Sequence, residues 1–388
     1  MNLIIKNGTI VADSLINNGT VIVEEGKITH VCEKLKGDRI LGGLNLDGFK
    51  TIDAGGCYVA PGLIDIHIHG CNGAELMDGT HDALRTMARY LARTGVTAFL
   101  PTTVTASKEK TRQIAELVAA FENQAGEAQL LGIHLEGPYI NEAKKGAQYG
   151  AAIRTPDFAE LEHLHQILGD KMRLVTTAPE IPGGLETVDW LVERSIATSI
   201  GHSDATYEEA VAGFTRGITQ VTHLFNGMSG LHHRAPGVVG AALTTPEVWV
   251  QLIADLVHVH PGAIRLVLAS KTADKIILIS DAIQAAGLPD GEYVLGDLPV
   301  IVKNGVATLK EGNLAGSTLN LLQAVKNMID VCGVSITDAF RMASRNPAES
   351  IGIQGKGWIQ AGYDADLIIL SPRFELRQTI INGQAAGQ

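Results

Sequence analysis

The chain has 388 residues, too many for one small core, which points to one large domain with an appendage or to two domains. Hydrophobic residues make up 45% and charged residues 19%, ordinary for a soluble globular protein, and the formal net charge of −11 argues against nonspecific binding to nucleic acid or to an anionic membrane. Met1–Asn7 shows no secretory leader, no stretch is long and apolar enough to span a bilayer, and Cys32, Cys57, Cys71 and Cys332 lack zinc-ribbon or redox spacing, so a cytoplasmic protein with reduced thiols is expected.

The first 57 or so residues are rich in β signals. Leu3–Ile5, Gly19–Val23 and Lys27–Val31 read as short strands separated by Asn-Gly and Glu-Gly turns. The far end looks similar, with Asp366–Leu370 and Gln378–Gly383. Residues 1–57 and 355–388 are therefore expected to meet in one small β domain, two separate caps being the alternative. Between them, residues 58–354 alternate strands and helices. Candidate strands are Leu63–His69, Val96–Thr103, Leu130–Glu136, Arg173–Glu180, Ile196–Ser203, Gln220–Asn226, Val248–Asp255 and Lys275–Asp281. Helical spacing marks His81–Thr94, Thr111–Asn123 and Tyr207–Thr215. About eight βα units fit a (β/α)8 TIM-type barrel. The rival, a doubly wound open sheet, normally carries a Gly-rich dinucleotide turn after its first strand, and none follows His69.

A barrel places its chemistry at the C-terminal ends of its strands. Ile64, Ile66 and Ile68 alternate with Asp65, His67 and His69, so both imidazoles project from one face of the first strand. Half of a metal site is one reading of that pair; one buried and one exposed histidine is the other. The remaining strand ends carry His134-Leu135-Glu136, His202-Ser203-Asp204, Thr222-His223, Asp255 to His258, and Ser280-Asp281. His67, His69, Glu136, His202 and His223 suffice for one three-ligand catalytic ion or for two ions sharing a bridge, and Asp281 suits a general base and acid. The fourth strand lacks a lysine of the kind that, carbamylated, bridges two ions in many barrel hydrolases, and Lys171 lies at its wrong end, which leaves Glu136 as the carboxylate of the site. Such a donor set accepts zinc, iron, cobalt or manganese. The turn-rich loop Asn226–Gly237 places Arg234 and the N–H groups around Gly227 where an anion can be held, a solvated arginine being the plainer reading. His258 is read as a substrate contact and His260 as structural. His30, His81, His163 and His165 are read as surface residues, and Cys71 as packing.

Taken in order, Pro61–Gly70, His134–Pro138, Gly201–Ser203, Thr222–Asn226, Ser280–Ala282 and Leu314–Ser317 resemble the N-acetylglucosamine-6-phosphate deacetylases of the amidohydrolase superfamily, over nearly the whole chain. The resemblance implies a TIM-type barrel with a small β-sandwich domain built from both termini. It implies hydrolysis of the acetamide of a 2-acetamido-sugar 6-phosphate, with one or two divalent ions, zinc first. Glu136, His202 and His223 match the principal metal ligands, and Asp281 the catalytic acid and base. Asn226, Gly227, His258 and Leu314 match substrate contacts, as do Ala147 and Gln148. Arg234 matches a phosphate-binding residue reaching in from the second subunit of a homodimer. Three departures matter. His67 and His69 are retained where some members have other polar residues and one ion, which leaves room for a second ion. Gln148 stands where many members have histidine. Gly227 stands where many have alanine and, with Gln284–Gly291, suggests the N-acetylgalactosamine-6-phosphate branch. Two other readings are a nucleobase deaminase, which shares the His-X-His and the terminal aspartate but leaves Arg234 unexplained, and a non-catalytic sugar-phosphate-binding protein.

Overall fold

The computed structural model describes residues 2–43 and 47–386. Its first three strands, Asn2–Val11, Leu15–Glu24 and Lys27–Glu33, form an antiparallel meander. Glu25 and Gly26 turn the second hairpin with φ of 51° and 81°, the doubly positive geometry that suits the right-handed twist of paired strands. The two ends of the chain meet in this sheet. Leu367–Leu370 runs antiparallel to Tyr58–Pro61, which lies beside Asn2–Val11, and Leu376–Ile381 extends the same edge. Leu3, Ile5, Val21, Val23, Val59, Leu367 and Ile369 form its core.

The middle of the chain is a parallel barrel. Strand one (Leu63–Ile68) pairs with strand two (Val96–Pro101), and a bridge from Thr102 to His134 carries the ring to strand three (Ile133–Glu136). Strands four to eight are Met172–Thr177, Ala197–Ile200, Gln220–Val221, Trp249–Ile253 and Ile276–Ile279, each parallel to the last. A bridge between Ala282 and Ile68 closes the ring. Strands one and two are buried at every position, as expected when helices cover a parallel sheet. Helix His81–Arg93 starts on a Thr80 cap and packs Leu84, Met87, Ala88 and Leu91 inward, on the spacing seen in the sequence. The sixth strand is shorter than its sequence suggests, because the chain leaves the ladder before His223. After strand eight a three-stranded antiparallel insertion, Gly291–Leu295, Leu298–Lys303 and Val306–Leu309, lies outside the barrel alternation. No helix among the described residues is long and apolar enough to cross a membrane.

Candidate active site

The ends of strands one, three, five, six and eight bring six buried side chains to one point. They form two triads, His67–His69–Asp281 and Glu136–His202–His223, each with its ligand atoms within 4.8 Å of one another. Glu136 joins the two. Its Oε1 lies 3.1 Å from both His202 Nε2 and His223 Nε2 and 3.5 Å from His67 Nε2, while Oε2 lies 3.4 Å from His69 Nε2. Asp281 Oδ1 is 3.3 Å from His67 Nε2 and 3.1 Å from His69 Nε2.

The outer nitrogens determine what the inner ones can do. Nδ1 of His69, His202 and His223 sits 3.2, 3.0 and 3.0 Å from the carbonyl oxygens of Thr102, Lys144 and Asn226. A carbonyl only accepts, so each Nδ1 carries a proton and each ring turns its Nε2 inward. His202 and His223 then face each other at 3.2 Å, and His67 and His69 at 3.3 Å, around two carboxylates. Converging electron pairs of this kind are stabilised only by positive charge, from a proton or a metal ion. With protons alone the demand falls on His67 and His202: burial opposes charge on both, but Glu136 outweighs it at His202, and Glu136 with Asp281 pushes the His67 pKa up to about 9. Burial likewise opposes ionisation of Glu136, yet His67 and His202 hold its carboxyl well below the usual range. Four imidazoles and two carboxylates, with three rings oriented by backbone carbonyls, fit one or two divalent ions of the zinc class.

Local backbone geometry aims these groups. His202, His223 and Asp281 all take positive φ, at 48°, 31° and 49°. Residues other than glycine seldom adopt that region, and a cluster of them marks a site where surrounding structure holds strain for function. Asp281 is pinned by its N–H on the His67 carbonyl and its own carbonyl on the Ser317 N–H, at 2.9 and 2.7 Å. His134 packs edge-on against the His67 ring, with centroids 4.7 Å apart, but joins neither triad. Its ring nitrogens meet Thr176 Oγ1 at 2.7 Å and Thr102 Oγ1 at 3.3 Å, so it belongs to the hydroxyl-lined interior of the barrel.

The cluster floors a cavity of about 260 Å³. Ala147, Gln148, Asn226, Gly227, His258 and Leu314 line it, as do Gly146, Leu295, Asn313 and Gly316, which the sequence reading did not single out. Alternation in Gly291–Leu295 and the Gly296-Asp297 turn signal a hairpin, but nothing local ties that hairpin to strand one. Gln148 donates from Nε2 to Glu136 Oε2 at 2.7 Å and accepts the Thr105 N–H on Oε1 at 2.6 Å. Gly227 has φ of 58°, and a Cβ there would stand 3.0 Å from His202 Nδ1, so alanine would strain this backbone. His258 Nδ1 meets Asp255 Oδ2 at 2.6 Å; burial opposes its charge, and Asp255 more than compensates, raising its pKa. Arg234 is exposed, outside this lining, with Nη1 2.6 Å from His233 Nε2. His260 caps the helix that follows it, and Lys171 donates to the carbonyls of Val118, Ala119 and Phe121.

A larger cavity of about 790 Å³ adjoins this one across Ala147 and Leu295 and contains Glu75. Glu75 Oε1 accepts the Gly296 N–H at 2.9 Å, and burial, reinforced by Asp78, raises its pKa to about 8. Unfolded glutamate titrates near 4.3, so folding favours its protonated form. The stability it contributes is full below that value and is lost as pH rises toward 8. Glu75→Gln is expected to remove this dependence. The gap between the two proteins in urea-unfolding free energy should widen by up to about 4 kcal/mol from pH 4.5 to 8.5, in favour of the variant. Parallel pH profiles would show that Glu75 ionises freely in the folded chain.

Residues 58–386 match the amidohydrolase family. The N-acetylglucosamine-6-phosphate deacetylase of Vibrio furnissii is 43% identical over 343 residues, 87% of this chain and 86% of its own. The N-acetylgalactosamine-6-phosphate deacetylase of Escherichia coli O157:H7 is 40% identical over 330 residues, 84% of this chain and 87% of its own. The crystal structure of N-acetylglucosamine-6-phosphate deacetylase from Thermotoga maritima superposes with a TM-score of 0.88 at 38% identity, covering 99% of both chains.

Proposed function

The chain belongs to the amidohydrolase family, and from that premise we propose that it hydrolyses the acetamide of N-acetylglucosamine 6-phosphate to acetate and glucosamine 6-phosphate in amino-sugar catabolism. The observation that carries this reading is Glu136 shared between two buried triads, with Asp281 beside it at the floor of a small cavity. Glu136, His202 and His223 would hold one divalent ion, and His67, His69 and Asp281, with Glu136 reaching both triads, would hold a second; zinc is assigned first, with iron, cobalt and manganese acceptable to the same donors. Such an ion, when bound, polarises an amide carbonyl and brings the pKa of water toward neutrality.

The remaining work falls to the chain's own groups. Ionised Asp281 accepts a proton from the water whose oxygen adds to the acetyl carbon. It returns that proton to the amide nitrogen as the C–N bond breaks, so the water oxygen leaves in acetate and the nitrogen leaves as an amine. His258, held by Asp255, donates to substrate oxygen, and the Asn226 side chain, the Gly227 N–H and the free N–H of Gln148 position the sugar beside Ala147 and Leu314. Arg234, exposed on its own chain, reaches the phosphate bound by the second subunit of a homodimer. The enzyme works in the cytoplasm.

Gly227, together with the 40% identical galactosamine-type relative, favours N-acetylgalactosamine 6-phosphate as a second reading. Acetate release from both epimers by metal-loaded protein tests both readings. Turnover of the gluco epimer with the higher kcat/KM supports the first, and the reverse order supports the second. No acetate from either overturns the deacetylase assignment.

A further inference from the structure

Gln148 is buried and spends its amide on two fixed partners. The Thr105 backbone N–H can only donate, so the Gln148 atom facing it at 2.6 Å is the oxygen, and the NH2 group must face Glu136 Oε2 at 2.7 Å. Glu136 therefore has differently engaged oxygens. Oε1 faces His202, His223 and His67, whereas Oε2 faces His69 and is held by Gln148.

The terminal torsion of a glutamate is soft. Left to itself, the carboxylate can swing so that both oxygens close on a single ion beside His202 and His223. The charge-assisted bond from Gln148 opposes that swing and keeps Oε2 on the strand-one side. Glutamine neither gains nor loses a proton, so it remains a donor at any working pH and adds no positive charge beside the ions.

We propose that Gln148 is a positioning residue that keeps Glu136 bridging two ions rather than chelating one, and that the ion associated with His67 and His69 depends on it. The inference rests on the two-ion reading of the site. It differs from a role in substrate contact alone, because it predicts a defect in metal binding with no substrate present.

The test uses the full chain, purified without chelator and loaded with manganese. Metal per chain is measured during chelator titration, and spin coupling is read by electron paramagnetic resonance. Wild-type protein is expected to hold two coupled ions; uptake of one ion under all loading conditions overturns the two-ion reading and this inference with it, before any variant is made. Gln148→Met should weaken the second ion by about 10–100-fold and leave an uncoupled single-ion spectrum. Gln148→Asn, which keeps an amide but is one carbon too short to span both partners, carries the same expectation should the methionine variant fail to fold. In a His67→Gln, His69→Asn background, Gln148→Met should weaken metal binding no further, since the ion it supports is already lost. Variants that keep two coupled ions at wild-type affinity and change only KM would overturn the proposal, as would an additive effect in the double-histidine background.

Discussion

Asp281→Asn is expected to lower kcat by about 10²–10⁴-fold while the protein still binds an ion through Glu136, His202 and His223. Asparagine keeps the shape of aspartate and can still present an oxygen to His67 and His69, which lie 3.3 and 3.1 Å from Asp281 Oδ1. It cannot accept a proton at neutral pH. In the wild-type chain burial pushes Asp281 toward the neutral acid, and His67 and His69 outweigh burial and keep it ionised. In the proposed mechanism one carboxylate both receives the proton from water and returns it to nitrogen, so its loss should affect addition and C–N cleavage together. The effect should therefore appear mainly in kcat, with KM little changed, because Asp281 acts on the reacting atoms rather than on the sugar. Steady-state kinetics alongside metal analysis checks this. Turnover within tenfold of wild type, at equal metal content, would remove Asp281 from the proton-transfer role.

Much of this arrangement is legible in the sequence because it depends on short periods. The alternation from Ile64 to His69 places two imidazoles on one face, and the strand-end clusters at Glu136, His202, His223 and Asp281 follow from the barrel rule once the strands are counted. The shared β character of the two termini is legible in the sequence; the strand that Leu367–Leu370 pairs with, Tyr58–Pro61, lies just past the 1–57 segment assigned to the β domain. What the sequence hid is non-local or conformational. The left-handed backbone at His202, His223 and Asp281 has no compositional signature, since it is imposed by tertiary packing on ordinary residues. The same effect ends the sixth strand at Val221, where Thr222-His223-Leu224 reads as extended in sequence but turns out of the ladder. Leu295 reaches the cavity from an insertion that obeys none of the barrel spacing. Gln148 is legible as a substitution for histidine, but its bond to Glu136 depends on how the 145–148 turn folds back over strand three.

Glu136→Gln should have the broadest effect of any single change, because Glu136 is the one group that approaches all four histidines of the cluster. The variant is expected to lose both ions under conditions where wild-type protein is saturated, and to lose at least about 10³-fold in kcat/KM with them, beyond the 10–100-fold typical of an indirect metal partner. An amide oxygen ligates a zinc-class ion far more weakly than a carboxylate, and the new NH2 group would place donors where the inward lone pairs of His202 and His223 demand a cation. The charge balance of the metal-free cluster shifts as well. Glu136 is the leading attraction that raises the His67 pKa against burial, so without it that pKa should fall. The metal-free variant no longer has to bury that carboxylate, and the desolvation cost it avoids offsets the lost attraction to His67, so its stability should be close to that of metal-free wild type. The two proteins should separate only when metal is added. Zinc is expected to stabilise the wild-type fold by mass action and to raise its melting temperature in a concentration-dependent way, whereas the melting temperature of the variant should stay nearly flat over the same titration. A thermal-melt series against zinc distinguishes this from simple misfolding, which would lower the metal-free melting temperature instead. Equal zinc-dependent shifts in the two proteins would mean that the imidazoles alone bind the ions and that Glu136 is not the carboxylate joining the two triads.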